Sequence, residues 1–210
     1  MQRKSQPAPK PYHHGDLKHA LIEAGVNVLA ELGVERLNLR EVARVAGVSH
    51  AAPYRHFVDK QALVAAIAED GFNKLAAEIN RVAAKPFANS AGKLIAAGQA
   101  YIRFALQHPD HFRIMFSSVG ERVENSGLYH VSKVGFVFLT AVIEAGQATG
   151  ELRPGDSLEI TKAMWAMMHG LATLIVEEQF APDPHKPVTR KQAEEIAASY
   201  IEMMLRGLRA

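Results

Sequence analysis

Apolar residues recur at three- and four-residue steps along almost the whole chain, and the strict alternation of a half-buried strand never persists. The pattern predicts an all-α fold of about nine helices. Leu17, Ala20, Leu21, Ala24, Val28 and Leu32 form the first stripe, with Asp16 placed to cap the helix and Gly33 to stop it. Asn38 stands three residues before Glu41, a variant of the capping box, and opens a short helix through Ala46 whose Val42, Ala43 and Ala46 share a face. Gly47 makes a turn that Val48 plugs. Ser49 then predicts the N-cap of a third short helix to about Phe57, with Pro53 within or just beyond its first turn. Asp59 caps a longer helix to about Ala83.

Lys85-Pro86 punctuates the pattern, and a domain boundary is expected there. Residues 1–12, carrying Pro7, Pro9 and Pro11, read as a mobile arm. The expected division is thus an arm over 1–12, an N-terminal domain over 13–85 and a C-terminal domain over 86–210. In the last of these, helices are expected at about Ser90–Gln107, Pro109–Phe116, Leu128–Ala148, Asp156–Phe180 and Thr189–Arg206. Residues 117–126 and the Pro-rich stretch 181–188 are expected as loops.

Composition narrows the function classes. Of 210 residues, 48% are hydrophobic and 22% charged, an ordinary globular balance. The absence of cysteine excludes disulfide scaffolds and thiolate metal sites. The most apolar run, Ala163 to Val176, contains His169 and is too short to span a bilayer; the arm has no apolar signal core. The expectation is a soluble, cytoplasmic protein without membrane attachment. Formal net charge is +2, but residues 1–60 hold nine Lys/Arg against six Asp/Glu, together with His13, His14, His19, His50 and His56. A basic front end suits a polyanion.

The densest chemistry lies between Leu39 and Lys60. Helix, glycine turn, helix is the helix-turn-helix order, with Ala43 small enough to let the two helices meet. Pro53 and Phe57, four apart, are expected to face inward. The outward side then presents His50, Ala51, Ala52, Tyr54, Arg55 and His56, a face that fits a major groove about 12 Å wide. Ser49 and His50 offer helix N-terminal N–H groups to a phosphate. Arg40 and Arg55 suit a guanine edge, Ala51 and Ala52 a thymine methyl, Tyr54, His56 and Lys60 the backbone.

The stretch from Tyr12-His13-His14-Gly15-Asp16-Leu17 to Phe72 resembles the N-terminal domain of TetR-family transcriptional regulators. The matching pattern is Leu-Arg-Glu-Val-Ala-x-x-Ala-Gly-Val-Ser-x-x-x-x-Tyr-x-His-Phe-x-x-Lys-x-x-Leu, with Ala52 and Pro53 where threonine and leucine are more usual. Pro109-Asp110-His111-Phe112-Arg113-Ile114-Met115-Phe116, and Trp165 with His169-Gly170, resemble the family branch named for a Trp-His-Gly element. The resemblance implies a DNA-binding N-terminal domain whose contacts are Arg40, His50, Ala51, Ala52, Tyr54, Arg55, His56 and Lys60. It also implies a C-terminal domain that dimerises and holds an effector. The implied mechanism is repression at a palindromic operator, relieved when a ligand shifts the helix joining the domains.

Two features of the C-terminal half support such roles. Helix 156–180 is apolar on more than one face, and the last helix adds Ile196, Tyr200, Met203 and Met204. Leu171, Leu174 and Ile175 are expected to join these in a four-helix bundle with a second copy. Tyr101, Phe104, Phe112, Met115, Phe116, Phe136, Met164, Trp165, Met168 and His169 are expected to line a pocket for a mostly apolar, neutral or weakly acidic small molecule. No cofactor is expected. His108 and His111, with Pro109 breaking the helix between them, do not make a metal site. No hydrolase, metalloprotease or nucleotide-binding motif is present, so the chain is not expected to be an enzyme; the alternative to a DNA-binding regulator is a helical adaptor or small-molecule-binding protein without DNA binding, ahead of an enzyme.

Overall fold

The computed structural model describes residues 14–116, 127–180 and 186–208. The expected arm over 1–12, the loop 117–126 and most of the Pro-rich stretch lie outside them. Among the described residues there are nine α-helices and no strand: α1 (His14–Leu32), α2 (Leu39–Val45), α3 (Lys60–Ala83), α4 (Ser90–Gln107), α5 (Pro109–Met115), α6 (Gly127–Ser132), α7 (Val134–Ala148), α8 (Ser157–Val176) and α9 (Arg190–Arg206). Two 3-10 turns, Val34–Arg36 and Pro53–Arg55, join them. Two compact units result, residues 1–67 and 68–210. The division falls inside α3, so the punctuation at Lys85-Pro86 lies within the second unit.

The first unit is built on the predicted stripes. Leu21, Val28, Leu37, Val42, Ala43, Leu63, Val64 and Ile67 are essentially inaccessible. Asn38 caps α2, its side chain accepting from the Glu41 N–H at 2.9 Å. Glu41 does not close the box; its carboxylate takes Arg44 instead. Asp59 caps α3 through the Ala62 N–H at 2.8 Å. Gly47 has φ +67, the left-handed region that favours glycine, and its turn closes on a bond from Val48 N to Ala43 O. Asp16 falls in the first turn of α1, which starts at His14, rather than at its cap.

One element differs in kind. The expected α-helix from Ser49 to Phe57 is instead a tight turn leading into three residues of 3-10 helix. Pro53 explains this: lacking an N–H, it cannot bond back to Ser49. The chain runs on i→i−3 bonds, Ala52 N to Ser49 O and Arg55 N to Ala52 O, before Phe57 N returns to Pro53 O. Ser49 therefore caps no α-helix.

In the second unit α4 is central, packing most extensively on α9 and also on α8, α7 and α5. Ala193, Ala197, Ile201 and Leu205 recur at four-residue steps on α9, all buried. The two helices meet closely: a Cβ on Gly98 would lie 2.2 Å from Ile201 Cδ1. Thr189 and Gln192 form a complete capping box on α9, and Asp156 caps α8 through the N–H groups of Leu158 and Glu159. Long-range chemistry caps α4 as well, with Glu151 accepting from Ser90 N at 2.8 Å and Ala91 N at 3.0 Å.

Two predicted helices are shorter or broken. Helix 128–148 divides at Lys133 into α6 and α7. Helix 156–180 ends at Val176 because Glu178 turns left-handed (φ 56) and Gln179 N bonds back to Leu174 O at 2.8 Å, a Schellman-type stop.

Candidate nucleic-acid interface and effector cavity

In the first unit the turn after Gly47 sorts its side chains into two sets. Pro53 and Phe57 go inward and are buried. Tyr54 is 54% exposed, and Ser49, His50, Ala51, Arg55 and Arg40 are exposed; Ala52 and His56 are half-buried. Arg40 and Arg55 make no ion pair among the described residues, whereas Arg44 is held by Glu41. Lys60 donates from Nζ to the Val34 carbonyl at 2.9 Å, which ties the start of α3 to the turn after α1 and leaves two N–H groups. This outward set combines long donors, two unpaired guanidinium groups and small residues, which is the chemistry of a nucleic-acid surface.

The second unit holds a cavity of about 720 Å³, within the range of small-molecule sites. Of the expected pocket residues, Tyr101, Phe116, Phe136, Met164, Trp165 and Met168 line it. Phe104, Phe112, Met115 and His169 do not. Phe104 is wholly buried in the core, and Phe112 and Met115 stand behind the wall, Phe112 edge-on to Tyr101 at 5.9 Å between centroids. Helical spacing assigned Phe104, Phe112 and Met115 to the apolar side of α4 and α5, but α4 has both a cavity-facing and a core-facing sector, and α5 contributes no residue to the lining.

His169 supports the lining rather than forming it. Its ring stacks on Trp165 (5.6 Å, 21°) and packs on Phe116 (4.4 Å). Tyr101 Oη lies 2.9 Å from His169 Nδ1. Burial pushes Tyr101 strongly up and His169 down, so both are neutral at pH 7. The phenol therefore donates to Nδ1, an uncharged pair whose imidazole stacks on Trp165.

Sequence reasoning missed the α3 contribution, Phe72, Leu75, Ala76 and Ile79, and, apart from Phe136, the run Val131 to Val137. The first was visible as an i, i+3, i+4, i+7 stripe. The second had a stronger signal. His130–Ala148 is long and apolar enough to cross a membrane by composition, yet only 17% of it is buried. Its first half faces the cavity, while Val142, Ile143 and Gly146 pack inside.

The expected dimer residues also divide. Leu171 and Ile175 are buried in their own subunit's core, so they present nothing to a second copy. Leu174 (40% exposed) and Met203 (63%) are open, and Ile196, Tyr200 and Met204 are half-buried. Among the described residues no cluster of three metal-ligating side chains occurs.

Residues 21–67 match the family model for bacterial regulatory proteins of the tetR family, and residues 94–200, about half the chain, match that for a tetracyclin repressor-like C-terminal domain. A protein of unknown function from a Rhodococcus species is 32% identical, with a TM-score of 0.80 over 96% of this chain and 100% of that one. An HTH-type transcriptional regulator of Mycobacterium tuberculosis is 26% identical over 192 residues, covering 78% of this chain and 82% of that protein. The TetR-family regulator PfmR of Thermus thermophilus shares the fold, with a TM-score of 0.71 at 21% identity over 90% of this chain and 99% of that one. The two family matches fall one on each unit, and the exposed helix-turn-helix face lies in the first of them: the chain belongs to the TetR family of DNA-binding, helix-turn-helix transcriptional regulators.

Proposed function

We propose that the chain acts as a homodimeric repressor that leaves a palindromic operator when a small apolar effector enters the second unit. The observation that carries this reading is the pairing, in one chain, of an outward Arg40, Tyr54, Arg55 face with a largely apolar cavity in the second unit. Arg40 and Arg55 read base edges; Ser49, His50, Tyr54, His56 and Lys60 hold phosphates; Ala51 and Ala52 meet a thymine methyl. Two copies present these faces to half-sites about one helical turn (~34–36 Å) apart. The outward faces of α8 and α9, through Leu174, Ile196, Tyr200, Met203 and Met204, are the dimer surface in this reading. The ligand acts by preferring one of two dimer geometries, and α3 is the element whose position it biases. The division into a DNA-binding domain over 13–85 and an effector domain over 86–210 is part of this proposal, as are a cytoplasmic location, the absence of a membrane partner and binding without catalysis.

Selection of bound sequences from random DNA, followed by fluorescence anisotropy on the selected site, tests the reading. The triple variant Arg40→Ala/Tyr54→Ala/Arg55→Ala is expected to lose sequence preference entirely. Unchanged operator binding by that variant refutes the recognition face. Sedimentation as a 23.0 kDa monomer at micromolar concentration refutes the dimer.

A further inference from the structure

Tyr101, on α4, lines the cavity and is half-buried, and its Oη lies 2.9 Å from Nδ1 of His169 on α8. His169 stands outside the lining, held by rings. It stacks on Trp165 (5.6 Å, 21°) and packs on Phe116 (4.4 Å) and Phe112 (5.3 Å). Phe112 also meets the Tyr101 ring edge-on at 5.9 Å. The same aromatic cluster thus fixes both members of the pair. A wall that only excluded water would need neither polar group, since phenylalanine and leucine give the same apolar surface with nothing to satisfy. Burial keeps phenol and imidazole neutral. A phenol has one proton and two lone pairs. With the proton committed to Nδ1, the oxygen meets a ligand as an acceptor.

Resting on the effector reading above, we propose that the ligand is a neutral apolar molecule bearing a hydroxyl, whose O–H donates to Oη of Tyr101, and that His169 is the positioning residue that makes this oxygen an acceptor. The hydroxyl supplies the proton that the phenol has already given away. An ether of the same bulk brings a lone pair to a lone pair and forms no bond there. A polyphosphate or sugar sets many more polar atoms against Leu75, Ile79, Met164 and Met168, where each unpaired group is penalised.

Calorimetry on the full-length protein tests this with two isomers, decan-1-ol and 1-methoxynonane, each below its solubility limit. Trp165 is the chain's single tryptophan and lines the cavity, so its emission shows whether a probe enters there. The alcohol is expected to bind about tenfold more tightly than the ether. In Tyr101→Phe the two are expected to bind within about twofold of each other, the alcohol having lost affinity and the ether having kept it. His169→Phe keeps a ring against Trp165 and Phe116 but frees the phenol proton for the ligand. There the ether is expected to gain affinity, closing the gap from the other side. Circular dichroism confirms that both variants are folded. Equal binding of the isomers by the parent, binding of neither, an unchanged Trp165 emission, or an alcohol preference that survives in Tyr101→Phe each overturns the proposal. Equal losses for both isomers in His169→Phe overturn the positioning role, because a structural defect weakens them alike. Anisotropy of the selected operator separates this from the effector role. Alcohol-selective binding without DNA release keeps the ligand class and removes the control of DNA binding. Release by the ether as readily as by the alcohol keeps the control and removes the ligand class.

Discussion

Asp70 offers a perturbation whose size follows from its surroundings. It sits on α3, and its Oδ2 lies 2.9 Å from Nε2 of His111 on α5, a residue 4% exposed. Lys74, one turn along α3, pairs with the same carboxylate. The His111 hydrogen bond, helped by Lys74 and opposed by burial, pulls the Asp70 carboxyl from 3.8 to about 2. At ~1.36 kcal/mol per unit the ceiling is about 2.5 kcal/mol, and solvent around the partly open side chain reduces it to about 1–2 kcal/mol. Asp70→Asn keeps the shape and imitates the protonated carboxyl. Because the folded value lies below the unfolded one, the stabilisation is present above 3.8 and disappears as pH falls toward 2. The gap between parent and variant, read from urea unfolding at fixed protomer concentration, is therefore expected to be full at pH 7 and about half as large at pH 3. No gap at pH 7, or the same gap at both values, refutes the account of this ion pair.

Three further perturbations address separate links. Gly47→Ala meets no atom within 4 Å but must hold φ near +67, so it is expected to cost about 1 kcal/mol in thermal unfolding; a neutral result removes the strained turn from the argument. Lys60→Ala is expected to cost about 1 kcal/mol of stability through the lost Val34 bond and to lower the salt slope of DNA binding by about one. Unchanged stability removes the tether, and an unchanged slope removes the phosphate contact. Glu151→Ala takes both carboxylate oxygens from the N-terminus of α4 and is expected to cost about 1–2 kcal/mol by urea unfolding; a loss under a few tenths places that cap among the dispensable ones.

What the sequence made legible was local. Asn38, Asp59, Asp156 and Thr189 cap the helices that their side chains imply, because a cap bonds within three residues of itself. What escaped depended on partners far along the chain or on competition between rules. At 49–57 a good cap residue and a proline pulled in opposite directions, and the missing N–H of Pro53 prevailed over Ser49. Glu151 caps α4 from about 60 residues away, a pairing no local pattern announces.

The cavity shows the same limit and a way past it. A helix sector facing a void and one facing the core carry the same side chains, so Phe104 and Phe136 are indistinguishable by type or spacing, although only Phe136 lines the cavity. Composition does separate whole helices. His130–Ala148 has the composition of a core helix, yet among the described residues few of its positions are fully buried. Its first half faces a cavity. An apolar helix lining a void suits an apolar ligand. The apolar composition of residues 130–148 is written in the sequence; what the fold adds is the void that their first half faces.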